Sequence, residues 1–137
     1  MKPPSPGPQV PGDKSLPTPD PAQVQVIRTY GPGRFQISDR DWREPVLVTP
    51  TGTTPWPVQR AEELSTDNVA AARSGAAPAE LLVVGCGSRS VFVPPAVRTA
   101  LKDIGLALEV VDTGSACRIY NVLLAEGRRV AAALIPL

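Results

Sequence analysis

Between Glu80 and Ile135 the chain alternates twice between short aliphatic runs and amphipathic stretches bounded by helix signals. Glu80-Leu81-Leu82-Val83-Val84-Gly85, Leu106-Ala107-Leu108-Glu109-Val110-Val111 and the run from Val130 to Ile135 have the length and aliphatic content of buried strands. Pro94-Pro95 opens a helix running to Ile104, because a proline in the first turn gives up an N–H that would have had no partner. Asp112-Thr113-Gly114-Ser115 supplies capping groups for a second helix from about Ala116 to Glu126, and Gly127 stops it. Two consecutive strand-helix-strand units imply three parallel strands, since the right-handed crossover between parallel strands is nearly obligatory. The pattern therefore predicts an α/β fold, with both helices expected on the same face of the sheet.

The first half is punctuated differently. Val24, Val26 and Ile27, then Tyr30-Gly31-Pro32-Gly33, then Arg34-Phe35-Gln36-Ile37 predict two strands joined by a Gly/Pro turn. Pro45-Val46-Leu47-Val48-Thr49-Pro50 is a short buried strand closed by proline, and Thr51 to Pro57 a turn region anchored by Trp56. Ser65-Thr66-Asp67 opens a short helix through Ala72, ended by Gly75 and Pro78. These antiparallel elements cover or extend the parallel sheet. At 137 residues one domain is expected, and with only 4% aromatic residues its core must be built from Val, Leu, Ile and Ala.

Residues 1–22 carry eight prolines, four charges that cancel and almost nothing apolar, so they cannot bury enough surface to offset their ordering entropy. They are expected to form a disordered proline-rich tail ahead of a single domain over residues 23–137. The tail is either a PxxP-type ligand or an extension without a partner.

Fourteen Lys plus Arg against thirteen Asp plus Glu, without a basic cluster, argue against a nucleic-acid partner. The absence of a long apolar run and of a signal-peptide core predicts a cytoplasmic protein with no membrane span. There is no histidine, which excludes Ser-His-Asp, Cys-His and His-metal mechanisms. Cys86 and Cys117 form neither a disulfide framework nor a CxxC motif, so no metal site is expected.

Parallel sheets present their usable loops at the carboxyl ends of the strands. Here these are Gly85-Cys86-Gly87-Ser88-Arg89-Ser90 and Asp112-Thr113-Gly114-Ser115, which line one crevice if their strands are neighbours. The Gly-Cys-Gly turn falls short of a dinucleotide fingerprint. It lacks the third glycine, six residues separate it from Pro94, and no acidic ribose ligand follows, so no cofactor is expected. Cys86 could serve as a nucleophile with Arg89 favouring its thiolate, but no base accompanies it, and a small half-buried residue at a strand end is the simpler account. No catalytic residue is assigned. Asp112 fits a helix cap; the alternative is an anion at the same N-terminus, assisted by Arg89 or Arg118 and opposed by the Asp112 carboxylate. Ala116, Cys117, Tyr120, Leu123 and Leu124 form the buried stripe of the second helix, and Asn121 beside them is placed to bond a neighbouring loop.

The motifs of the second half resemble one family in order and spacing. They are Leu82-Val83-Val84-Gly85-Cys86-Gly87, Leu101-Lys102-Asp103-Ile104-Gly105, Glu109-Val110-Val111-Asp112-Thr113, Ala116-Cys117, Tyr120-Asn121 and the run from Glu126 to Pro136. With Tyr30-Gly31 and Phe35-Gln36-Ile37, the likeness covers about residues 23 to 136. It is to the domain family that includes the mitochondrial complex I assembly factor three and the adipogenesis-associated domain protein. The resemblance implies a three-layer β/β/α fold, with a mixed sheet packed by helices on one side and by further strands on the other. It implies no reaction: mitochondrial members act through protein contacts, and bacterial members are largely of unknown function.

Two functional expectations follow. The first is a non-enzymatic accessory or assembly protein with a protein partner. The second is a small-molecule or anion-binding protein, or an enzyme, using Gly85, Cys86, Gly87, Ser88, Arg89, Asp112, Thr113, Gly114 and Ser115. Self-association into a homo-oligomer through an exposed apolar face or strand edge stays open.

Overall fold

The computed structural model describes residues 25–75 and 77–137. The expected proline-rich tail, residues 1–22, lies outside the described residues. Strands β1 (Ile27–Gly31), β2 (Arg34–Ile37) and β3 (Arg40–Trp42) form an antiparallel meander. Strands β4 (Val46–Thr49) and β5 (Gly52–Pro55) form a hairpin, followed by 3-10 segments at Ala61–Glu63 and Asp67–Arg73. Then come β6 (Leu81–Gly85), α1 (Pro95–Asp103), β7 (Ala107–Val111), α2 (Thr113–Ala125) and β8 (Val130–Leu134).

The central sheet has the order β5-β4-β8-β6-β7, with β6 parallel to both β7 and β8 and β4 antiparallel to β8 and β5. The mixed α/β sheet with two strand-helix-strand units is thus present, extended by β4–β5 and covered by β1–β3. Alternation along each strand sends side chains to opposite faces. Leu47, Leu82, Val84, Ala131 and Ala133 face a core shared with Trp56, Val69, Ala72 and Leu101 of α1. Val46, Val48, Val83, Val130, Ala132 and Leu134 face a core shared with Phe35, Ile37, Trp42 and the α2 residues Ala116, Cys117 and Tyr120.

The two helices therefore lie on opposite faces, which corrects the same-face expectation. The reason is strand order. The chain steps outward from β6 to β7, then back across β6 to β8, and two right-handed crossovers taken in opposite directions must cover opposite faces. The layering is also finer than helices on one side and strands on the other, because α2 shares its side with the β1–β3 meander.

Local chemistry explains most boundaries. Pro32-Gly33 turns β1 into β2, proline fixing φ at the first turn position and Gly33 adopting φ 72° at the second. Both helices end in the same motif. Gly105 N–H reaches Lys102 O while Leu106 N–H reaches Leu101 O; Gly127 N–H reaches Leu124 O while Arg128 N–H reaches Leu123 O. Helix α2 starts three residues earlier than expected, at Thr113, because Asp112 alone is the cap. The stretch after Pro50, expected as a turn region, contains strand β5, paired through Val48 with Thr53 and Leu47 with Thr54. Trp56 is the anchor anticipated there, 2% exposed, with its indole N–H donating to Asn68 Oδ1 at 3.1 Å.

Candidate functional site

Strands β6 and β7 are neighbours in parallel register, Gly85 opposite Val111, so their carboxyl-end loops do meet. They meet by bonding to each other. Thr113, fully buried, accepts from Gly87 N–H at 2.8 Å through Oγ1 and donates the same hydroxyl to Ile135 O at 2.6 Å. Its own N–H donates to Gly87 O at 2.8 Å, Cys86 N–H donates to Val111 O, and Ile135 N–H to Gly85 O. One hydroxyl thus ties the ends of all three parallel strands.

The glycines serve this closure. A Cβ at Gly85 would lie 2.9 Å from Leu134 Cδ2, 3.0 Å from Thr113 Cα and 3.1 Å from Ala116 Cβ, so only glycine lets α2 seat this closely on β6. Gly87 has φ 94°, the left-handed region that glycine occupies without strain. At Gly114 a Cβ would approach the Tyr30 hydroxyl to 3.3 Å.

Asp112 caps α2: Ser115 N–H donates to Oδ2 at 3.1 Å and Ser115 Oγ donates to Oδ1 at 2.7 Å. These bonds, with Arg118 nearby, hold the carboxyl below its ordinary range. Arg118 is itself engaged, donating to the Tyr30 hydroxyl at 2.7 Å and to Ser115 Oγ at 3.2 Å. The helix N-terminus therefore already holds a negative charge.

Cys86 is half-buried, and burial pushes its thiol up from the ordinary value, with Glu62 and Asp112 acting the same way against a hydrogen bond from the Val91 backbone. The expectation that Arg89 would favour thiolate is not met, since the surroundings favour the neutral thiol. Cys117 is core, as its stripe position implied, and burial pushes it up to about 12. Beyond the closure, Ser88, Arg89, Ser90 and Phe92 face solvent, and Phe92 is 77% exposed.

The family model described as a protein of unknown function (DUF498/DUF598) matches residues 27–135. The chain belongs to this family. Among its relatives, an uncharacterised protein of Rhodobacter capsulatus is 38% identical over 111 residues, 81% of this chain and 84% of that one. The NADH dehydrogenase (ubiquinone) 1 alpha subcomplex assembly factor 3 of Xenopus tropicalis is 32% identical over 85% of this chain and 64% of its own length. This chain thus spans just under two thirds of that assembly factor. A crystal structure of a Bordetella parapertussis protein aligns at a TM-score of 0.75 with 34% identity, covering 83% of this chain and 97% of that one. The family's fold is shared with that structure, and the assembly-factor resemblance carried by the second-half motifs holds.

Sequence reasoning did not single out Phe92, which stands two residues beyond the loop it considered. An aromatic between two valines looks like one more core residue, and only its position in space exposes it. Among the described residues no helix is long and apolar enough to cross a membrane.

Proposed function

We propose that this protein is a non-enzymatic accessory factor of the cytoplasm that holds a protein client during assembly of an NADH dehydrogenase complex. The observation that carries the reading is Phe92, 77% exposed next to the strand-end loops. Those loops consume their inner polar groups on one another, while Ser88, Arg89 and Phe92 point outward. A solvent-facing aromatic near an arginine has the composition of a protein-contact anchor. The name of the Xenopus tropicalis relative supplies the class of client.

The test is deletion of the gene in its source organism, with assembled NADH dehydrogenase quantified on native gels and as NADH oxidation by membranes. Assembly falls and is restored by the wild type and by Cys86→Ser, but not by the double substitution Arg89→Ala, Phe92→Ser. Unchanged NADH dehydrogenase after deletion overturns the reading.

The exposure of Ser88 and Arg89 at the carboxyl ends of parallel strands favours a second reading, a small anion or metabolite bound over Gly85, Cys86, Gly87, Ser88, Arg89, Asp112, Thr113, Gly114 and Ser115. A metabolite that co-purifies with the wild type and is lost in Arg89→Ala would establish it in place of the first.

A further inference from the structure

The central sheet ends on one side at β7, and alternate backbone groups of that strand face outward. Ala107 N–H donates to Glu80 O at 3.0 Å and Cys86 N–H donates to Val111 O at 2.9 Å, so Ala107, Glu109 and Val111 carry the ladder to β6. The peptide groups of Leu108 and Val110 therefore point to the opposite edge. At the two ends of this edge one group is already engaged: Ser90 Oγ donates to Val110 O at 3.2 Å, and Leu106 N–H donates to Leu101 O at 2.9 Å. Among the described residues, Leu108 N–H and Leu108 O have no partner. An open donor and acceptor on an end strand are a template for another strand.

The pattern fits a second copy of the same strand in one register. When two β7 strands pair antiparallel about a two-fold axis at Leu108, Leu108 of each copy donates its N–H to Leu108 O of the other. Val110 then lies opposite Leu106 of the second copy. One donor and one acceptor that would have met there, Leu106 N–H and Val110 O, are those already held within each chain.

The side chains agree with this register. Leu108 and Val110, partly buried against the core shared with Leu101 of α1, gain aliphatic neighbours across the seam. On the other face the exposed Glu109 falls opposite the exposed Ala107 of the second copy. Sliding the pairing so that Leu108 meets Val110 would set Glu109 against Glu109 and direct Leu108 N–H at the carbonyl that Ser90 holds. Charge and hydrogen bonding thus select the same register. We propose that the protein self-associates through β7, two copies joining their five-stranded sheets into one continuous sheet centred on Leu108. The proposal goes beyond the assembly role and does not rest on it.

The test is sedimentation equilibrium of the full chain over a range of concentrations in reducing buffer, with amide hydrogen exchange read at Leu108. A dimer is expected, in which Leu108 N–H exchanges slowly at high concentration and quickly on dilution. Ala107→Lys, at an exposed position, sets an ammonium opposite Glu109 of the second copy and should lower the dissociation constant about fivefold, whereas Ala107→Glu should raise it about fivefold. Three results overturn the proposal: a monomer up to millimolar concentration, a dimer whose Leu108 amide exchanges as fast as in the dilute protein, or a dissociation constant that does not move in these opposite directions.

Discussion

The side-chain amide of Asn121 pairs with both backbone groups of Ile27, accepting its N–H at 3.0 Å and donating to its carbonyl at 2.7 Å. The register of β1 against β2 shifts between Ile27 and Thr29, and Asn121 takes the bonding role of a neighbouring strand at the start of β1, next to this bulge. It thereby fastens the covering meander to α2.

Asn121→Ala leaves the Ile27 N–H and C=O without these partners, and the expected cost is about 1–3 kcal/mol. Denaturant unfolding measures it. Amide exchange at Ile27 should accelerate more than at Val83, because the loss is local to the meander; equal acceleration would contradict the role given to this pair.

Gly85→Ala places a methyl against Thr113 Cα and Ala116 Cβ, which belong to a helix that cannot move alone. Overpacking of this kind costs roughly 1–3 kcal/mol. A melting temperature equal to wild type would show that α2 can shift away from β6.

Tyr120 is fully buried, and its hydroxyl has no hydrogen-bond partner among the described residues. Burial also pushes its phenol well above the ordinary value. A buried hydroxyl left unpaired destabilises the fold, so Tyr120→Phe should gain up to about 1 kcal/mol. A loss of stability would reveal a partner for that oxygen.

Cys86 titrates above an ordinary thiol because burial disfavours its thiolate. Its alkylation by iodoacetamide should be slow at neutral pH and still rising past pH ~8.5, where a free thiol is half ionised. Fast labelling at pH 7 would restore it as a candidate nucleophile.

Asp112 titrates below an ordinary carboxylate because Ser115 bonds its charged form. With the folded value below the unfolded one, its contribution to stability is complete above the unfolded pKa of about 3.9 and disappears as pH falls through the folded value. Asp112→Asn should flatten the acid limb of the stability profile and leave the profile above pH 5 parallel to wild type.

The strands and helices of the second half were legible because each carries its own signal: aliphatic runs for β6, β7 and β8, proline and a carboxylate at the helix starts, glycine at the helix ends. β3 and β5 were not. Arg40-Asp41-Trp42 is too short to show a period, and its turn, with Ser38 at φ 54°, lacks the glycine that would announce it. Gly52-Thr53-Thr54-Pro55 is marked as a turn by its own glycine and proline, and pairing with β4 overrides that local preference.

The sequence by itself determined the strands and helices of the second half and the loops that would gather at the strand ends, because periodicity and capping are local properties. Tertiary structure decided which face each helix covers, since that follows from whether β8 lands beside β6 or beyond β7. It also decided that Thr113 locks those loops together and that Phe92 faces water, because hydrogen-bond partners and burial depend on residues far away in the chain.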